Sequence, residues 1–176
     1  GETVATGSSD GTARVWRVAN GDPLTPPIKH DSAVKLVHLN QDGASLATAS
    51  WAGEIRLCRM RKGKSSGRCA VLPQGGVKSK VRTLHFDPEG SRLLVCRQNG
   101  IVTVHSGKGG KFTRVDQFGC KANSARFNPA GDRIAVACKA GRVRIYDAGS
   151  LTPLVVCKGH RREVHSVRFS HDGRLG

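Results

Sequence analysis

The sequence predicts an all-β fold built from one repeated unit, and three observations predict it. Residues 34–60 (VKLVHLNQDGASLATASWAGEIRLCRM) align position by position with 81–107 (VRTLHFDPEGSRLLVCRQNGIVTVHSG) and 122–148 (ANSARFNPAGDRIAVACKAGRVRIYDA), with truncated copies at 4–17 (VATGSSDGTARVWR) and 164–176 (VHSVRFSHDGRLG). One turn glycine recurs at 11, 53, 100 and 141, at intervals of 42, 47 and 41 residues, the spacing of propeller blades. Within each copy apolar and polar residues alternate in short runs, the period of a strand and not of a helix. The fold class is therefore a β-propeller of about four blades, each of four antiparallel strands.

The first strand of each copy runs into a turn at Asp42-Gly43, Glu89-Gly90, Ala130-Gly131 or Asp172-Gly173, and the second into a turn such as Asp10-Gly11 or Asn99-Gly100. Glycine reaches the positive φ that tight hairpins need. Third strands alternate most clearly, at Arg14-Val15-Trp16, Ile55-Arg56-Leu57, Val102-Thr103-Val104 and Val143-Arg144-Ile145. Fourth strands are expected near 24–28, 68–72, 112–118 and 153–157, on the outer edge, because Pro23, Pro26 and Pro27 suit only an edge. One propeller region then divides into a partial repeat 1–29, repeats 30–76, 77–117 and 118–158, and a partial repeat 159–176. The two ends are in phase, so 163–169 is available to pair beside 3–8 and close a ring. A segment of a larger propeller is the preferred expectation, because four blades lie at the lower limit for closure and the first residue is not Met.

Lysine and arginine total 29 against 13 acidic residues, a formal charge of +16, which makes an acidic protein or a nucleic acid a natural partner. Aromatics are 5%, with no paired platform for stacking bases. No apolar run approaches the ~20 residues of a membrane-spanning helix, so no membrane partner is expected. Cys58, Cys69, Cys96, Cys120, Cys138 and Cys157 show no CxxC spacing. They are expected to be free, mostly buried thiols of an intracellular, reducing compartment, cytoplasmic or nuclear.

Two stretches carry a family resemblance. Residues 4–16, with Gly7-Ser8-Ser9-Asp10-Gly11-Thr12 before Trp16, and Lys158-Gly159-His160 followed by 164–173, resemble the middle strands and the lead-in of WD-repeat propellers. The resemblance implies an internal network of His, Ser or Thr, Asp and Trp in each blade. Ser8, Asp10 and Trp16 match it in the first copy, and His30 and Ser50 in the second, where Ala52 and Cys58 depart from it; His160 matches at the end of the chain. Arg97, Asn99 and His105, then Cys138, Ala140 and Tyr146, replace the set, so looser middle blades are expected.

Catalytic chemistry finds no footing. The seven histidines form no HExxH pair or His-Cys cluster, and there is no GxSxG elbow. Gly63-Lys64-Ser65 and Gly107-Lys108-Gly109-Gly110-Lys111 lead into no helix that could cradle phosphate. No catalytic, cofactor or metal residue is expected. The resemblance instead implies a partner-binding rim, where the incoming loops meet the turns between second and third strands. Trp51, Lys78, Lys80, Lys121, Lys139, Arg161 and Arg162 map there, and Arg59, Arg61, Lys62, Lys64, Lys108 and Lys111 map to the opposite rim. The function expected is a noncatalytic scaffold in a multiprotein or ribonucleoprotein assembly, since 118–175 resembles WD-repeat proteins of eukaryotic ribosome biogenesis. Residues 20–30 resemble instead bacterial WD-repeat arrays fused to signalling kinases, which implies a docking or sensing module.

Overall fold

A computed structural model describes residues 2–61, 64–73, 79–107, 113–117 and 120–170. Four antiparallel sheets follow one another along the chain. The first holds β1 (Thr3–Gly7), β2 (Thr12–Arg17) and β3 (Ile28–Lys29). The second holds β4 (Val34–Leu39), β5 (Ser45–Ser50), β6 (Ile55–Arg61) and β7 (Lys64–Val71). The third holds β8 (Val81–Phe86), β9 (Arg92–Arg97), β10 (Val102–Ser106) and β11 (Thr113–Gln117), and the fourth β12 (Ala122–Phe127), β13 (Arg133–Cys138), β14 (Arg142–Asp147) and β15 (Pro153–Lys158). Each is an up-and-down meander, as the hairpin turns dictate. β3 is the shortest strand because Pro26 and Pro27 cannot donate to a ladder.

The sheets are stacked face to face, and the core lies between them. Ala13, Val15, Ile28 and Val34 pack with Leu46, Cys58 and Met60 at the first seam. Ala47, Ile55 and Leu57 meet Leu84, Phe86 and Val95 at the second. Leu94, Cys96, Val102 and Val104 meet Ala125, Phe127, Ile134, Val136 and Tyr146 at the third. Such strands are buried on both faces, which is why the centres of β9 and β13 read as apolar runs and β5 is built mostly of small residues.

The inner strands repeat one irregularity. β4, β8 and β12 each slip register after their first residue, at Val34/Leu36, Val81/Thr83 and Ala122/Ser124. The extra residue is Lys35, Arg82 or Asn123, and a bulge of this kind re-aims a side chain.

Three expectations are corrected. Residues 163–169 form no strand and join no ladder with β1; Val164 N instead donates to Cys138 O at 3.3 Å, as Val34 N donates to Ser8 O at 2.9 Å. That segment therefore lies where a first strand would lie, beside the fourth sheet. The turn expected at Asp172-Gly173 lies outside the described residues. Second, four cysteines are paired and not free: Cys58 with Cys69, which oppose each other across β6 and β7, and Cys120 with Cys138. Buried Cys96 and exposed Cys157 remain thiols, so the cysteines no longer argue for a reducing compartment.

Third, the middle blades are tied by groups the family network does not use. Buried Arg97 donates from Nη1 to Ser79 O at 2.7 Å and to Gly53 O at 3.4 Å, joining the second sheet to the third. Arg92 pairs with buried Asp87 at 2.9 Å, donates to Ala148 O and Gly131 O at 2.6 Å each, and stacks on Phe127, joining the third sheet to the fourth.

Candidate functional site

Backbone contacts define one rim. A Cβ on Gly53 would lie 2.5 Å from Ser79 O, one on Gly100 2.9 Å from Lys121 Cα, and one on Gly141 2.5 Å from His160 O. Each turn between second and third strands thus presses against the loop that leads into the next sheet, and only glycine allows that approach.

On this rim Trp51 is 52% exposed and has two ammonium groups near its ring. Lys80 Nζ lies 3.5 Å from the ring centroid and Lys35 Nζ 5.5 Å. Trp51 stands on the turn after β5, its N–H donating to Ala33 O at 2.8 Å. Lys80 comes from the loop before β8, one sheet further on, and Lys35 is the bulge residue of β4. The sequence placed Trp51 and Lys80 on this rim but missed Lys35, because its alternation assigned no side to a residue inside a bulge.

The other rim residues fall along the arc. Lys121 and Lys139 share a backbone hydrogen bond, Lys139 N to Lys121 O at 2.8 Å, with Lys121 exposed. Arg161 and Arg162 are exposed on the bend beside Gly141. They do not converge on Trp51 by any contact among the described residues. Lys78 lies outside the described residues, as do Lys62, Lys108 and Lys111 of the opposite rim.

Two side-chain bonds run through residues two positions before Ser8 and Ser50. Trp16 Nε1 donates to Thr6 Oγ1 at 2.8 Å, and His30 Nε2 meets Thr48 Oγ1 at 2.8 Å. Thr6 and Thr48 are template counterparts. Ser8 Oγ and Asp10 Oδ1 organise their own turn, accepting from Asp10 N and Thr12 N, and those bonds from Thr12 hold the Asp10 carboxyl below its usual range. Ser50 Oγ donates to Asp31 Oδ1 at 2.9 Å and accepts from Glu54 N. His160 is exposed and no hydrogen bond to its ring is found among the described residues.

His30, Asp31 and Glu54 bring ligand atoms within 4.8 Å of one another, the spacing of a small metal cluster. Every member is already engaged: Glu54 with Arg56, Asp31 with Ser50, and His30 with Thr48 and, at 3.2 Å from Nδ1, with Glu54. Burial lowers the His30 pKa against the opposing pull of Glu54. The trio is held by bonds to its own neighbours, while His30 Nδ1, buried 3.2 Å from Glu54 Oε1, makes no hydrogen bond.

The family description "WD domain, G-beta repeat" matches residues 1–17 and 151–175. The chain is 25% identical to "Serine-threonine kinase receptor-associated protein" of Rattus norvegicus, over 98% of this chain and 59% of the relative. It is 27% identical to "Eukaryotic translation initiation factor 3 subunit I" of Pongo abelii, over 98% of this chain and 55% of the relative. The chain thus spans under two thirds of the length of these relatives. Among solved structures it resembles the β-propeller domain of Myceliophteria thermophila Cps50 (Swd1), with a TM-score of 0.80, 15% identity, and coverage of 98% of this chain and 57% of that one. No helix among the described residues is long and apolar enough to cross a membrane.

Proposed function

Because this chain belongs to the WD-repeat β-propeller family, we propose that it is a noncatalytic docking platform that binds an acidic segment of a partner protein on the rim around Trp51. The observation that carries this reading is the exposed indole flanked by Lys80 and Lys35. An aromatic anchor with cations over its ring supplies both the apolar contact and the charge that an acidic peptide needs, and Trp is enriched at binding hot spots. Lys121, Lys139, Arg161 and Arg162 extend the positive field along the same rim, where they speed encounter without adding fixed contacts.

The names of the relatives agree with this role, one being receptor-associated and the other a subunit of a translation initiation factor. The proposed repeat division at 30, 77, 118 and 159 goes with this reading. A ribonucleoprotein setting, ribosome biogenesis included, is a second reading, favoured by the net charge of +16 and by the initiation-factor relative. The kinase-linked signalling module gains no comparable support.

Titrating a fluorescein-labelled octaglutamate peptide into the chain tests the docking reading. Saturable binding should weaken about tenfold or more in Trp51→Ala and less in Lys80→Gln, and should weaken as salt rises. Equal binding by Trp51→Ala removes the site, and tighter, salt-sensitive retention of an oligoribonucleotide would transfer the proposal to RNA. Turnover of a substrate by the purified chain would overturn the noncatalytic part.

A further inference from the structure

A second feature lies at the other end of the inner strands, away from Trp51. The concave inner face carries a cavity of about 660 Å³ whose lining includes His38, His85, Arg126 and Arg168. These four occupy one template position, the fifth residue of each first-strand segment counted from Val34, Val81, Ala122 and Val164. The repeat therefore stacks four basic side chains, one per unit, around a single space.

Their hydrogen bonding fixes the tautomer of both histidines. His38 Nδ1 accepts from Phe86 N at 3.5 Å, and His85 Nδ1 accepts from Phe127 N at 3.4 Å, each bond crossing to the next sheet. A neutral imidazole whose Nδ1 accepts must carry its proton on Nε2, so both rings keep an N–H donor. The rings are 4.9 Å apart between centroids. No carboxylate among the described residues forms an ion pair with Arg126 or Arg168. Asp87 also lines the cavity, but its oxygens already accept from Arg92 Nε, Arg92 N and Ser91 Oγ.

Two unpaired guanidinium groups and two imidazole donors form a donor-rich pocket with its one lining carboxylate neutralised. We propose that this cavity binds a small phosphate-bearing ligand, held by the forks of Arg126 and Arg168 with His38 and His85 as supporting donors. Phosphoryl oxygens are the acceptors that planar guanidinium forks match best. The cavity volume is that of a small-molecule site, and the Phe86, Pro88, Phe127 and Pro129 walls suit an ester with an apolar body better than a long nucleic-acid backbone.

Calorimetric titration of the chain with inorganic pyrophosphate tests this, with inorganic phosphate, sulfate and an octauridylate as parallel arms. Pyrophosphate should bind saturably and more tightly than phosphate or sulfate, and Arg126→Gln and Arg168→Gln should each weaken it by about tenfold or more with thermal midpoints unchanged. Trp51→Ala should leave this binding intact, which separates it from the docking rim. As a readout that needs no variant, pyrophosphate should shift the side-chain resonances of His38 and His85 in the unmodified protein. Absent saturation, undiminished binding by both Arg variants, unmoved histidine resonances, or binding of octauridylate alone would each overturn the proposal.

Discussion

Lys80 holds its ammonium 3.5 Å above the Trp51 ring from a loop that belongs to the next sheet. The contact joins two repeats at their surface, so the indole reports on a seam as well as on a partner. A cation over an exposed ring contributes roughly 0.5–1 kcal/mol. Lys80→Met should leave the thermal midpoint within a few degrees and change the Trp51 fluorescence, with Trp16→Phe used to remove the other indole. Unchanged Trp51 emission would show that the ammonium does not sit there in solution.

Gly53 and Gly21 both have positive φ, 94° and 73°, yet differ in surroundings. At Gly21 an added Cβ meets nothing within 4 Å, while at Gly53 it would strike Ser79 O. Gly21→Ala should therefore cost about 1 kcal/mol from backbone strain alone. Gly53→Ala should cost at least twice that, because the loop before β8 has to move. Equal denaturation midpoints for the two variants would contradict the close approach.

The pocket histidines set a pH dependence. Burial, with Arg126 adding repulsion, lowers the pKa of His38 to about 4, and burial, with His38, Arg126 and Arg168 adding repulsion, lowers that of His85 to about 3. Only Asp87 opposes this at His85. The unfolded chain then binds protons that the folded chain refuses, so stability falls as pH drops from about 6.5 towards these lowered values and is flat above. Urea midpoints measured between pH 8 and 4 should decline below about 6.5, and His38→Gln should shrink the decline. A ring proton of His38 titrating near 6.5 by NMR would refute the burial argument.

Thiol chemistry separates the six cysteines. A maleimide added to the native, unreduced chain should label Cys157 alone, since Cys96 is buried and its pKa is raised to about 11. Breaking the Cys58–Cys69 bond, which closes a loop of 11 residues, should lower stability by about 3 kcal/mol on chain-entropy grounds. Labelling of five or six sites in the native state would restore the free-thiol expectation.

Asp87 is almost fully buried and Arg92 is its partner. Arg92→Leu should destabilise by about 3 kcal/mol or more, as expected when a buried charge loses its mate. Asp87→Asn/Arg92→Leu together should recover part of the loss in a double-mutant cycle.

How much of this was legible beforehand follows from the physics of each feature. The blades were readable because turns demand glycine: Gly11, Gly43, Gly53, Gly90, Gly100, Gly131 and Gly141 all take positive φ. Thr6 and Thr48 stand two residues before Ser8 and Ser50 on the same strand face, and alternation alone cannot say which one reaches Trp16 or His30. The Cys58–Cys69 pair depends on cross-strand opposition, which spacing does not encode. Strand propensity in 163–169 was visible, but a ladder needs a partner at the right rotation. The His38, His85, Arg126 and Arg168 column was present in the alignment; it went unread because two residue types share it.

The Asp87–Arg92 pair has one more consequence. Asp87 faces the inner cavity while Arg92 reaches outward to carbonyls of the following sheet. The strength of the positive potential inside the cavity is thus set in part by a residue that does not line it. Loss of Arg92 would free a carboxylate to face Arg126 and His85, and the interior would attract anions less strongly without a single substitution in its wall.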